Sequence, residues 1–153
     1  MANFANPRKK FNFSILVSPV TTNPFLFQKV TTPDVEIEAD EHGDSNHNIK
    51  TAGKVSYSNI MCEKLQPSRS ADNYMWNWAE ECQSSILGGG STPFQYKRRV
   101  EIMEYAEDGI TEINRWIAYG CWPTKINGLD LNRAESGNTI ESFELSVDKL
   151  TKI

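Results

Sequence analysis

The sequence predicts a mainly β protein with one helix, folded as a small antiparallel barrel or sandwich. Three observations carry this. Several short segments alternate apolar and polar residues, turn-forming residues separate them, and only one stretch repeats apolar residues at helical spacing. The chain has 153 residues, 39% hydrophobic and 24% charged, which fits a single domain (1–153) on one core. Seven Phe, five Tyr and four Trp are spread along it and supply the bulk.

Phe11, Phe13, Ile15 and Val17 alternate with polar neighbours and predict a half-buried strand behind a polar arm, residues 1–10. After a Pro-rich break, residues 25–30 predict a second strand. Val35, Ile37 and Ala39 then alternate with Asp34, Glu36, Glu38 and Asp40 in a third. Residues 41–48 are polar and contain Gly43, so they read as a loop. Residues 54–65 predict one long strand with Val55, Tyr57, Met61 and Leu65 on a shared face.

The helix is expected over about 70–87. Ser70 suits its N-cap, Met75, Trp78, Ala79, Cys82 and Ile86 line its buried face, and Gly88-Gly89-Gly90 stops it. Residues 96–105 and 110–119 predict a hairpin about the turn Glu107-Asp108-Gly109. Gly120-Cys121-Trp122-Pro123 breaks or kinks the return strand. Residues 139–147 predict the last strand, with Phe143, Leu145 and Val147 on its apolar face. The core of this barrel spans 11–148, with seven or eight strands.

Composition narrows the function. A net charge of −4 argues against general nucleic-acid binding, which needs a basic footprint, but not against enclosing DNA. Cys62, Cys82 and Cys121 are far apart and odd in number, so they read as buried or half-buried thiols made in a reducing compartment. No segment has the length of a membrane span or the pattern of a secretory signal, which predicts a soluble protein.

No GxSxG, GxGxxG, P-loop or HExxH motif is present, and the three-glycine run follows a helix instead of opening one. His42 and His47 lie among oxygen donors, but their spacing fits no zinc or EF-hand pattern, so the segment reads as a solvated loop. The expectation is a non-enzyme with no catalytic residue, cofactor or metal. Two rivals stand beside it: a non-polymerising β-barrel binding module, and a carboxylate-dependent hydrolase.

The acidic strand is the informative feature. Six Asp and Glu and no Lys or Arg lie between Val30 and Lys50. Asp34, Glu36, Glu38 and Asp40 side by side repel one another. A solvent-facing strand tolerates this, and so does the wall of an aqueous channel, where such charge repels phosphates and acidic cargo.

The C-terminal third carries a family resemblance. Gly120-Cys121-Trp122-Pro123, then Gly128-Leu129-Asp130-Leu131, then the strand from Asn138 through Ile140, Ser142, Phe143 and Glu144 resemble tail tube proteins of contractile-tailed (T4-like) phages. They also resemble inner tube subunits of extracellular contractile injection systems. Upstream, Phe27-Gln28, the Ala52-Gly53 turn before the long strand, Trp76 with Trp78, and Tyr96-Lys97-Arg98 match in the same order, so the likeness covers about 11–148. The Asp-Glu-His-Gly-Asp stretch, 40–44, departs from many relatives.

The resemblance implies a β-barrel-like protomer with the helix on its flank. Hexameric rings would form a continuous inner β-barrel and stack into a tube inside a sheath protein, with baseplate or initiator and terminator proteins at its ends. DNA or protein cargo would pass through the lumen without specific binding. Assembly is expected in the bacterial host cytoplasm, and the product is part of a virion tail or an injection particle. Asp34, Glu36, Glu38 and Asp40 become lumen or strand-junction residues. Residues 41–52, with Glu41, His42, Asp44, His47 and Lys50, become a ring-stacking loop. Trp78, Trp122, Pro123 and Phe143 become core and corner residues.

Overall fold

The computed structural model describes residues 12–17, 27–43, 46–66, 73–83 and 92–153. The described elements are β1 (Phe13–Val17), β2 (Phe27–Thr31), β3 (Val35–Gly43), β4 (Asn48–Tyr57), β5 (Ile60–Leu65), α1 (Tyr74–Cys82), α2 (Pro93–Tyr96), β6 (Arg98–Tyr105), β7 (Glu112–Ile126), β8 (Ile140–Ser146) and β9 (Lys149–Lys152). Strands run β1-β6-β7-β8-β5-β2, with β9 also on β7, while β3 and β4 pair apart from them.

The fold is a β-sandwich whose two layers share β7. Its first part pairs with β6 and β9, and its last part pairs with β8. The change of layer falls at Gly120, whose φ is +66°. The expected corner therefore exists, but as a bend within one 15-residue strand and not as a break. Ile15, Val17, Val100, Ile102 and Ala118 from one layer meet Phe27, Ile60, Cys62, Phe143 and Leu145 from the other. Alternation predicted these positions because each strand buries one face.

The helix covers one flank, with Met75 and Trp78 buried. Trp78 Nε1 donates to the Tyr96 carbonyl at 2.6 Å. Arg98 lies 5.0 Å over Trp78 and 5.4 Å over Tyr74, and bonds Tyr74 Oη and Glu81 Oε2 at 2.8 Å each. This cluster ties α1 to the start of β6. Within the described residues, α1 is shorter than the expected 70–87, with Gln83 already extended. Ser70, Ile86 and the glycine run lie outside the described residues, as does the 1–10 arm. Tyr96 closes the short helix α2 instead of opening a strand, because Thr92 N–H bonds Gln95 Oε1 and Pro93 sits at the first helical position.

Three other expectations change. The stretch 54–65 is two strands parted at Ser58 and Asn59, and alternation resumes out of phase. Ile60, Cys62 and Lys64 are buried while Met61 is exposed. Residues 41–43 and 48 are strand, not loop, because backbone pairing continues through Glu41↔Lys50, His42↔Ile49 and Gly43↔Asn48. Finally, β9 follows the strand expected to be last.

Candidate assembly surface

The surface that sets this protomer apart is a long hairpin. β2 and β5 form its proximal half, inside the sandwich, and β3 and β4 form its distal half, a two-stranded ribbon. At the junction Ser58 N–H bonds the Asp34 carbonyl at 3.1 Å and Asp34 N–H bonds Ser58 Oγ at 2.7 Å. The ladder thus passes the break, and the ribbon continues the direction of the layer.

The two ribbon faces differ. Pairs Val35↔Tyr57, Ile37↔Val55 and Ala39↔Ala52 occupy one face, and alternation puts Glu36, Glu38, Asp40 and His42 on the other. Tyr57 packs against the core, so the apolar face prolongs the inner face of the sandwich. Beyond Tyr57 nothing among the described residues covers it: Val35, Ile37 and Val55 are 54%, 57% and 49% exposed. A register shift lies between Ile37 and Ala39, where β4 has an additional residue. Gly53 stands there, within β4 and not at a turn. A Cβ on it would lie 2.9 Å from Asp40 Oδ2, so only glycine leaves Asp40 its place.

Each sequence-predicted residue can now be placed. Glu36, Glu38 and Asp40 are exposed in β3, and Asp34 is exposed at its root. Glu41 and His42 also belong to β3, Lys50 to β4, and His47 to the connecting turn, while Asp44 lies outside the described residues. Lys50 Nζ is 3.8 Å from Glu41, an exposed pair worth at most about 1 kcal/mol. The structure thus gathers the acids and the stacking candidates on one ribbon. Trp78, Pro123 and Phe143 are buried, and Trp122 is half-buried, edge-on to Tyr96 at 6.3 Å.

Sequence reasoning missed the buried charges of the second layer. Lys64 and Glu141 face each other across β5 and β8, 1% and 2% exposed. Burial pushes the Glu141 carboxyl above the usual range, against the pull of Lys64 and Gln66, and pushes the Lys64 ammonium down. Gln66 Nε2 donates to Glu141 Oε2 at 3.1 Å, and Glu141 Oε1 has no hydrogen-bond partner among the described residues. Two lysine and glutamate letters on amphipathic strands carry no signal of this. Burial likewise raises the thiols of Cys62 and Cys121, the latter to about 12. No group of three or more potential metal ligands occurs among the described residues.

Known proteins resemble the chain in sequence and in fold. The chain is 27% identical to the tail tube protein gp19 of Enterobacteria phage T4, across 95% of this chain and 88% of the T4 protein, and equally similar to that of phage T6. The fold matches the tube terminating cap of the anti-feeding prophage with a TM-score of 0.80 and 16% identity, covering 100% of this chain and 95% of that one. It matches a chain of the sheath-tube complex of an extracellular contractile injection system with a TM-score of 0.75 and 16% identity, covering 96% and 91%. The profile of one family, T4-like virus tail tube protein gp19, spans residues 9–151, and the chain belongs to that family.

Proposed function

We propose that this tail tube protein closes into a ring of six copies, and that rings stack head to tail as the inner tube of a contractile tail or injection particle. The ribbon carries the reading. Its apolar face prolongs the sandwich interior past the point where the described residues of one copy cover it. A lone two-stranded ribbon is marginal in water, and exposed apolar positions of this kind mark an interface. Nine residues of strand span about 30 Å, enough to leave one copy and lie on another.

The edges support the same reading. β1 and β2 end the strand order and, among the described residues, offer unpaired backbone. Pairing of edges between copies joins six sheets into one inner barrel. Asp34, Glu36, Glu38 and Asp40 then face the lumen, where their charge keeps DNA or acidic cargo from adhering. The 41–52 segment reaches the next ring. A sheath surrounds the tube, baseplate and terminator proteins bound its ends, and assembly takes place in the host cytoplasm. The work is structural and calls on no catalytic group.

Electron microscopy and sedimentation of the purified full chain, with and without a baseplate complex as seed, test this. Hollow rings or tubes with sixfold end views are expected. Protein that stays monomeric in both conditions refutes the reading.

A further inference from the structure

The ribbon and the segment 127–139 stand at opposite poles of one layer. β5 runs from Ile60, beside the ribbon, to Leu65, and β8 lies against it from Leu145 to Ile140. The last part of β7 runs from Trp122, opposite Ser146, to Ile126, opposite Phe143, and so heads for the Leu65 pole. Asn127 N–H bonds the Ser142 carbonyl at 2.9 Å and Gln66 N–H bonds the Thr139 carbonyl at 3.0 Å, which roots both ends of the segment there.

Residues 128–138 are all exposed. Leu129 and Leu131 are 44% and 76% exposed, although they come from the Gly-Leu-Asp-Leu piece that the ring reading leaves without a role. The segment rims an open recess of ≈ 670 Å³ whose lining includes Leu131, Asn138, Thr139 and Ile140. One pole therefore carries a long apolar ribbon face, and the other carries a recessed loop with two leucines in water. Unlike surfaces at opposite poles are what a head-to-tail contact needs, because it repeats without closing. Pairing of like poles would end a stack after two rings.

We infer that the 128–138 segment is the seat on which the apolar ribbon face of a copy in the adjoining ring docks. Val35, Ile37 and Val55 of that copy lie on Leu129 and Leu131. The inference rests on the stacking reading above and adds the receiving surface.

A photo-cross-linking residue, p-benzoylphenylalanine, replaces Leu131 in the full chain, and assembled tubes are irradiated and digested. Cross-links to residues 35–57 of a second copy are expected. Tubes that form and cross-link elsewhere overturn the seat and leave the tube reading standing. A chain that forms neither rings nor tubes overturns the tube reading, and the seat with it. Leu131→Glu gives an independent readout: rings persist, while the protein concentration needed for tubes rises about tenfold or more. Tubes forming at the wild-type concentration overturn the seat.

Discussion

Replacing Gly120 with alanine tests the account of the bend in β7. At φ +66° an L-residue pays for a left-handed backbone, roughly 1–2 kcal/mol. There is also no room. The new Cβ would meet the Asp148 carboxylate, lying 2.7 Å from its Cγ. Asp148 cannot step aside freely, since its N–H bonds the Tyr119 carbonyl at 3.0 Å and its Oδ2 holds Lys97 Nζ at 2.7 Å. Giving up that half-exposed pair costs up to about 1 kcal/mol. The expected loss is about 1–3 kcal/mol, or roughly 2–12 °C in Tm for a chain of this size.

Thermal unfolding followed by circular dichroism measures it, at matched protein concentration because assembly shifts Tm. Gly109→Ala is the control: its φ is +73° but nothing lies within 4 Å of a new Cβ, so it reports strain alone. Asp148→Ala added to Gly120→Ala should restore only the part of the crowding owed to the carboxylate, because the Cβ of residue 148 would still lie 2.9 Å from the new one. If Gly120→Ala melts with the wild type or with Gly109→Ala, the crowding argument is wrong.

Other outcomes follow from the same geometry. Arg98→Met removes two charge-assisted hydrogen bonds and two ring contacts, and should lower stability by about 2 kcal/mol in urea titrations, with Arg98→Lys recovering little because a single nitrogen replaces the planar fork whose two nitrogens reach Tyr74 and Glu81. Glu141 holds its proton more tightly folded than unfolded, so its contribution is present below the ordinary glutamate range and is lost as pH rises through its elevated folded value. Urea midpoints of Glu141→Gln should therefore fall less across that rise than those of the wild type, and parallel profiles would remove the charge argument. Cys62 and Cys121, buried and poorly ionised, should resist a disulfide reagent at neutral pH until unfolding, leaving half-buried Cys82 as the reactive thiol by mass spectrometry.

Much of the fold was legible because burial writes a period into sequence. Phe143, Leu145 and Val147 alternate and are buried. Asp108 marked its turn through chemistry that a single letter conveys: its carboxylate takes both N–H groups of Ile110 and Thr111, and with the Thr111 hydroxyl this holds its pKa at about 2. The ribbon tip was illegible because its polar side chains follow from having solvent on both faces, while the pairing that defines it is backbone to backbone. β9 was missed because four residues with two lysines hold no pattern. The assembly surface was half legible. Four acids in alternation were visible, but that the opposite face prolongs a core depends on where Tyr57 lands.

The strand shared by both layers has a consequence for how the subunit comes apart. Neither layer can peel away alone, because loosening one disturbs β7 and with it the ladder of the other. Amide exchange from the sandwich should thus report one all-or-none opening. The ribbon, which borrows no ladder from β7, should exchange earlier in the isolated protomer and slow once neighbours cover it. On the proposed stacking, a rigid brick with one pliant tongue is set into a growing tube without itself being remade.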